Sequence, residues 1–494
     1  MIKIRTRIHD RFSLEFKIWY EQSGDASGLQ QQFRMETWLF VPASLDVNAL
    51  TYSREKFYSD ITNYYRAITP SYHLNEIAGE PGQETDEEFI LSFSPDACSP
   101  LGYLSNAVYN IIHYPSKANA IEYQIKMFCA IFKSAMRERY NAIKENPICH
   151  TDIKRFADEA RHVINCYARL SGYLKNKKEY GTVANIADFY AFGEEFIINL
   201  TELYFYKLNG GIHKSEMLED FLKEIGEYKR SRGFGTLVNE RKKENSNLLY
   251  RWSVLKKYVE SDLFLSADKR KSGVLKEQVY YSIAAGLSMI FATAVTFTFQ
   301  QKYGNFTMPL FVALVVSYMF KDRIKELVRS AFSSNRKLKY FDNATLLGVK
   351  ETIIGRSREG FDFVPQSKVP REIIEMRNRS MIVDVENRIN SESVLFYRNL
   401  IELYTSRLAA TSEYHISGIN EIFMVNLSSF VKKMDNPQNT YHIYGSHGIE
   451  KIAVDRVYYL NFIFQFTHNG TVVRKRYRVM MNRDGIIDLE MPNE

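Results

Sequence analysis

Residues 279–320 read VYYSIAAGLSMIFATAVTFTFQQKYGNFTMPLFVALVVSYMF: two apolar runs, 279–299 and 303–320, joined by Gln300, Gln301 and Lys302. Neither run holds an Asp, Glu, Lys, Arg or His. Each is close to the roughly 20 residues that a helix needs to cross the hydrocarbon core, so the stretch predicts a transmembrane helical hairpin spanning 278–322. A buried soluble hairpin is the alternative, but two such runs in tandem are rare in soluble folds. Pro309 falls in the first turns of the second helix, where a missing N–H costs least.

Lys269, Arg270, Lys271 and Lys276 precede the hairpin, Lys321, Arg323, Lys325 and Arg329 follow it, and the turn between holds only Lys302. This bias predicts an inner-membrane protein with two spans and both termini in the cytoplasm. The 494 residues carry a net charge of +7, and the basic residues beside the hairpin have lipid headgroups as sufficient partners. Charge alone therefore does not argue for nucleic acid. Residues 1–11 lack the apolar core of a signal peptide. Cys98, Cys129, Cys149 and Cys166 form no CxxC pair and are expected as reduced thiols.

Outward from the hairpin, the pattern predicts an α+β membrane protein. Residues 1–95 form a β-containing subdomain: Phe12, Leu14, Phe16, Ile18 and Tyr20 alternate as in a half-buried strand, and 33–41 form a second strand. Ser53 caps a helix that carries Phe57, Ile61, Tyr64 and Tyr65. The Gly-, Pro- and acid-rich residues 79–100 are expected as a loop. Residues 96–265 form a helical bundle, with helices at 118–144, 151–175, 184–208 and 214–228 and a break at Asn209-Gly210-Gly211. A basic juxtamembrane linker, 266–277, enters the hairpin. A basic amphipathic segment, 323–340, leaves it. Residues 341–494 form a β-rich domain ending in strands 457–466 and 471–481 around His468-Asn469-Gly470, then a short strand 486–489. Because the hairpin's ends start as neighbours, the regions flanking it are expected to pack together.

The run Trp38-Leu39-Phe40-Val41-Pro42 with Ser44-Leu45-Asp46-Val47-Asn48, the hairpin, and the strand pair at Asn482-Arg483-Asp484-Gly485 resemble a family of uncharacterised bacterial two-span membrane proteins. The resemblance implies this architecture and a bacterial inner membrane. It supplies no activity and no functional residue.

For active transport the spans lack the ionisable residues that mark proton and ion pathways. Ala284, Ser288, Ala292 and Thr296 recur every fourth residue and form a small-residue stripe on the first helix. It either seats the second span of the same hairpin or serves self-association or contact with a partner helix. Arg474, Arg476 and Arg478 share one face of the penultimate strand and are the candidate surface for an anionic partner, against the plainer reading of a solvated or edge face. Aromatics interleaved on that face would favour RNA, and they are absent. Arg230-Ser231-Arg232-Gly233-Phe234-Gly235 lacks phosphate-loop spacing and reads as a connector. Cys149, His150, His162 and Cys166 lack the spacing of a zinc site and read as buried thiols with capped or surface histidines. Glu194-Glu195 and Asp86-Glu87-Glu88 read as solvated carboxylates. No catalytic, cofactor-binding or metal motif emerges. The sequence thus predicts a membrane-anchored, cytosol-facing scaffold or sensor whose partners are the bilayer, an unidentified cytosolic protein and further copies of itself. A pore-forming or membrane-perturbing effector and a membrane-tethered enzyme are the alternatives.

Overall fold

A computed structural model describes residues 2–22, 30–78, 99–113, 118–145, 150–176, 184–211, 214–272, 274–304, 307–334, 341–378, 391–446 and 448–491. Among the described residues the fold is mixed α+β, with 13 α-helices and several sheets. The chain divides into two compact units, one formed by 1–66, 265–413 and 418–494, the other by 67–264 and 414–417. The expected acidic loop, apart from Ser99 and Pro100, lies outside the described residues, as do Cys98 and Cys149.

The first unit is built on two antiparallel sheets. Eight strands run in the order β14 (Gly485–Glu490), β13 (Thr471–Asn482), β12 (Tyr458–His468), β3 (Gln31–Val41), β8 (Ser393–Leu403), β7 (Thr352–Phe363), β6 (Asn343–Val349) and β5 (Ser266–Lys271). Four more run in the order β1 (Ile2–Ile8), β2 (Ser13–Glu21), β9 (Gly418–Asn426) and β4 (Ile61–Ala67). N-terminal and C-terminal segments are therefore interleaved. Strand β3 pairs with β8 on one side and β12 on the other, and β2 pairs with β9. The alternation read in 12–20 and 33–41 is what permits this, since each strand presents an apolar row to one core. Phe16 of β2 meets Phe464 of β12 at 4.7 Å and Tyr477 of β13 at 5.8 Å between ring centres, so the smaller sheet packs on the larger. The β12–β13 turn has Asn469 and Gly470 both at positive φ, as a tight two-residue hairpin requires. A separate two-stranded ribbon is formed by β10 (Gln438–Gly445) and β11 (Gly448–Asp455).

Two segments differ from the sequence reading. Helix α1 (Arg54–Asp60) is capped by Ser53 as expected but stops before Ile61, where the β-branched and aromatic run ITNYYRA continues as β4. Residues 266–271, expected within a linker, are the edge strand β5, paired from Ser266 with Gly348 to Lys271 with Asn343.

The helical unit comprises α2 (Leu74–Ala78), α3 (Pro100–His113), α4 (Ala118–Glu145), α5 (His150–Asn176), α6 (Ala184–Gly211), α7 (Glu216–Arg232) and α8 (Lys242–Glu260). Helix α6 runs through Asn209-Gly210-Gly211 rather than breaking there. Its interior is aromatic: Phe156 and Phe205 stack at 4.7 Å, and Phe128, Tyr167 and Tyr190 are fully buried or nearly so. Gly233, at φ 72°, ends α7 by placing its N–H on the Arg230 carbonyl, which accounts for the Arg-Ser-Arg-Gly run as a helix terminus.

Between β5 and β6 the chain makes two long antiparallel helices, α9 (Val274–Tyr303) and α10 (Met308–Ser334). Gln300, Gln301 and Lys302 are helical, and the reversal is set instead by Gly304, which at φ 76° accepts a left-handed conformation. Shifting the turn shortens the second apolar run. Residues 278–303 of α9 are long and apolar enough to cross a membrane. In α10 the charge-free part of the helix is 308–320, which rises about 20 Å at ~1.5 Å per residue, less than the roughly 30 Å of a hydrocarbon core. Among the described residues one helix thus has the length and composition to span a membrane, where the sequence reading expects two.

Where the helices meet the sheet, the Ser272 N–H donates to the Asp342 carbonyl at 2.7 Å and the Asp342 N–H donates to the Glu359 carbonyl at 2.7 Å. The Asp342 carboxylate accepts from Arg54 at 2.5 Å, from the Tyr58 hydroxyl at 2.9 Å and from the Phe361 N–H at 2.9 Å. Three of the remaining helices, α11 (Arg371–Arg377), α12 (Thr405–Ala410) and α13 (Ser428–Val431), are short connectors in the same unit. Asp342→Ala leaves those three donors without their acceptor and is expected to destabilise the first unit by about 2 kcal/mol; urea unfolding in detergent reads it, and a loss of less than about 0.5 kcal/mol would refute the role given to this carboxylate.

Candidate functional site

The small-residue stripe of α9 faces α10. Ala284 and Ser288 are buried, Ala292 and Thr296 are half-buried, and Ala313 and Ser317 are the buried residues of α10. Ser288 donates to the Ala285 carbonyl, Thr296 to Ala292 and Ser317 to Leu314, so the hydroxyls are satisfied within their own helices. Ser282, Thr293 and Thr298 do the same. Beside this contact an apolar groove opens between Phe291, Val295 and Phe299 on one helix and Val312, Val316 and Phe320 on the other.

The arginine row lies on one face of β13, and each guanidinium has a different neighbour. Arg474 donates to Gln465 at 2.7 Å, Arg476 to Asn461 at 3.3 Å, and Arg478 to Glu490 at 3.3 Å while lying 3.8 Å over the Tyr459 ring. Burial, then repulsion from Arg377 and Arg478, lowers the Arg476 pKa. The row is thus integrated into the sheet, with Arg474 and Arg476 bonded to neutral amides and Arg478 to a carboxylate.

The most unusual chemistry was not visible as a motif. Between the two sheets, Glu421 of β9 has no exposed surface and Glu359 of β7 has 1%. Glu421 accepts from the Tyr20 hydroxyl at 2.6 Å, from Asn399 Nδ2 at 2.7 Å and from the Tyr65 hydroxyl at 3.3 Å. Ser357 donates to Asn399 Oδ1 at 2.7 Å and shares a 2.8 Å hydrogen bond with Tyr65. Glu359 accepts from Asn63 at 2.5 Å and pairs with Lys269 at 2.7 Å, and Asn63 also donates to the Tyr397 hydroxyl. Lys269 and Arg270, counted in the sequence as membrane-flanking charge, thus belong to the sheet, Arg270 pairing with Asp268. A sequence signal for the network does exist. Glu421 stands between Ile419 and Phe423 on the inward row of β9, Asn399 between Tyr397 and Ile401 on β8, and Glu359 between Ser357 and Phe361 on β7. Glu421 and Asn399 are polar residues on apolar period-two rows, and Glu359 with Ser357 forms a polar pair on the inward row of β7.

Burial, reinforced by the charge of Glu359, pushes the Glu421 carboxyl up to about 7, against the lowering effect of its hydroxyl and amide donors. The folded protein therefore holds this proton more tightly than the unfolded chain. Stability from this group is fully present below about pH 4.5 and is lost as pH rises to about 7, by about 3 kcal/mol in all. In Glu421→Gln that part of the slope disappears. Urea titrations of both proteins from pH 4.5 to 7.5 should show a stability difference that changes with pH; a constant difference would contradict the assignment.

In the helical unit Glu194 and Glu195, expected as solvated, are buried. Adjacent positions on α6 point about 100° apart, and here each finds its own partner. Glu194 accepts from Tyr228 and pairs with Arg232 at 3.0 Å, while Glu195 accepts from Arg251 through two nitrogens at 2.6 and 2.9 Å. Buried carboxylates require such pairing. Lys229, fully buried, pairs with Glu202 at 2.6 Å. Cys166 Sγ lies 3.8 Å from His162 Nε2, and burial pushes its thiol up to about 11.

Comparison with protein-family models, with curated proteins and with solved structures returns no match. The resemblance to two-span bacterial proteins therefore rests on its quoted motifs alone.

Proposed function

We propose that this chain is a membrane-anchored protein whose sheets and helical unit face the cytosol and act there as a scaffold or sensor. The observation that carries the reading is the apolar surface of the α9–α10 hairpin. Along α9, Ile290 is 65% and Phe297 69% exposed, and Phe311, Tyr318, Met319 and Phe320 are likewise exposed on α10. Apolar surface of this extent needs lipid or protein to cover it. The hydrogen bond between Ser272 and Asp342 adds a topological argument. The chain leaves and rejoins adjacent strands of one sheet, so a membrane crossing by α9 has to be matched by a return through α10.

The short apolar run of α10 is compatible with a return because Lys302 near one end and Lys321 near the other can extend their ammonium groups to the two interfaces. The polar network at Glu421 suits a sensing role, since it ties four strands together through a group that titrates near neutrality. The partner sensed or assembled is a protein rather than nucleic acid, because the arginine face of β13 carries no interleaved aromatic and Arg478 is already paired with Glu490.

Alkaline carbonate extraction of membranes from cells producing the full chain tests the anchor. The protein is expected in the pellet and to float with liposomes after reconstitution. Release into the supernatant, with a monodisperse species in detergent-free buffer, would overturn the proposal.

A further inference from the structure

The free face of α9 carries a second regularity. Ile283, Leu287, Ile290, Ala294 and Phe297 follow each other at spacings of four, three, four and three, the seam of a coiled coil. The seam lies on the side of the helix away from Ala284 and Ser288, which are buried against α10. Ile283, Leu287 and Ile290 are 45%, 49% and 65% exposed.

Lipid cannot cover all of this face. The helices are antiparallel and the Phe291 and Phe320 rings are 6.5 Å apart, which sets these two residues at one level. At equal rise per residue, Lys321, Asp322, Arg323, Lys325 and Glu326 lie beside the turns of α9 that hold residues 285–290. Arg323 and Glu326 pair with each other at 3.6 Å and their side chains are 79% and 75% exposed. Placing this level in hydrocarbon costs roughly 2.5–3.5 kcal/mol for each such charge. Placing it in headgroups or water strands Ile283, Leu287 and Ile290 outside the lipid. Protein cover on the seam, with the charges of α10 turned outward, satisfies both helices.

We propose that the cover is α9 of further copies of this chain, packed in parallel along Ile283, Leu287, Ile290, Ala294 and Phe297. Copies anchored by the same hairpin present this seam at the same depth, so like residues meet like residues. The seam has no charge to repel its counterpart, and Ala294 allows close approach where the helix is most apolar. Leucine at one core position followed by isoleucine at the next favours three or four strands over two. The inference rests on the anchored reading above and adds to it a defined surface and occupant.

Single cysteines placed by Ile283→Cys, Leu287→Cys, Ile290→Cys and Ala294→Cys in the full chain, oxidised in native membranes, test it. Ser288→Cys and Ala284→Cys, on the face that meets α10, serve as controls, and the unsubstituted chain gives the background from its own thiols. A band at twice the chain mass at the four seam positions, with only background at 284 and 288, is expected, since one cysteine per chain links two copies. Crosslinking at background level everywhere, equal on both faces, or to a product of mass other than twice that of the chain would overturn the proposal. Carbonate extraction of the same samples separates the two readings: pelleted protein without the dimer band defeats only the seam, whereas soluble protein defeats the anchor as well.

Discussion

The hydrogen bond from the Ser272 N–H to the Asp342 carbonyl is the constraint on which the rest of the first unit depends. It joins the two limbs of the helical insertion at the edge of an eight-stranded sheet, so that the helices α9 and α10 are in effect an overgrown loop between neighbouring strands. The Asp342 side chain strengthens the joint by engaging Arg54, Tyr58 and the Phe361 N–H. The hairpin joins the sheet at β5 and β6. Next to them stands β7, which carries Ser357 and Glu359 of the buried polar network.

That network has a cost that an apolar core would not bear. A carboxylate without solvent contact is tolerated only with several donors, and Glu421 has three. Lys269 offsets Glu359 from β5, the strand that feeds directly into α9. Two polar chains thus lie in the same interior: one runs from Lys269 on the edge strand through Glu359 and Asn63 to Tyr397, the other from Ser357 through Asn399 to Glu421.

Much of the fold was legible because burial imposes periodicity. The three- and four-residue spacing in 118–144 and the alternation in 12–20 and 457–481 correspond to α4, β2, β12 and β13. What stayed hidden was non-local. The pairing of β3 with β8 and β12 joins residues hundreds of positions apart, and no local pattern encodes the choice of partner. The end of α1 at Asp60 was missed because Ile61, Tyr64 and Tyr65 fit a helical spacing as well as a strand, and tertiary pairing decided between them. The Glu194 and Glu195 pairings depend on where α7 and α8 lie against α6. The polar interior could have been flagged as single acids and amides on inward rows, but only once the strands were assigned.

The account's central claim is that the hairpin leaves and re-enters one side of a membrane while the sheets stay on that side. Labelling of single cysteines in intact cells with an impermeant thiol reagent tests it most directly. Lys302→Cys should react from outside the cell, and Lys475→Cys on β13 should react only after the membrane is permeabilised. Protection at 302 together with reaction at 475 in intact cells would contradict the account.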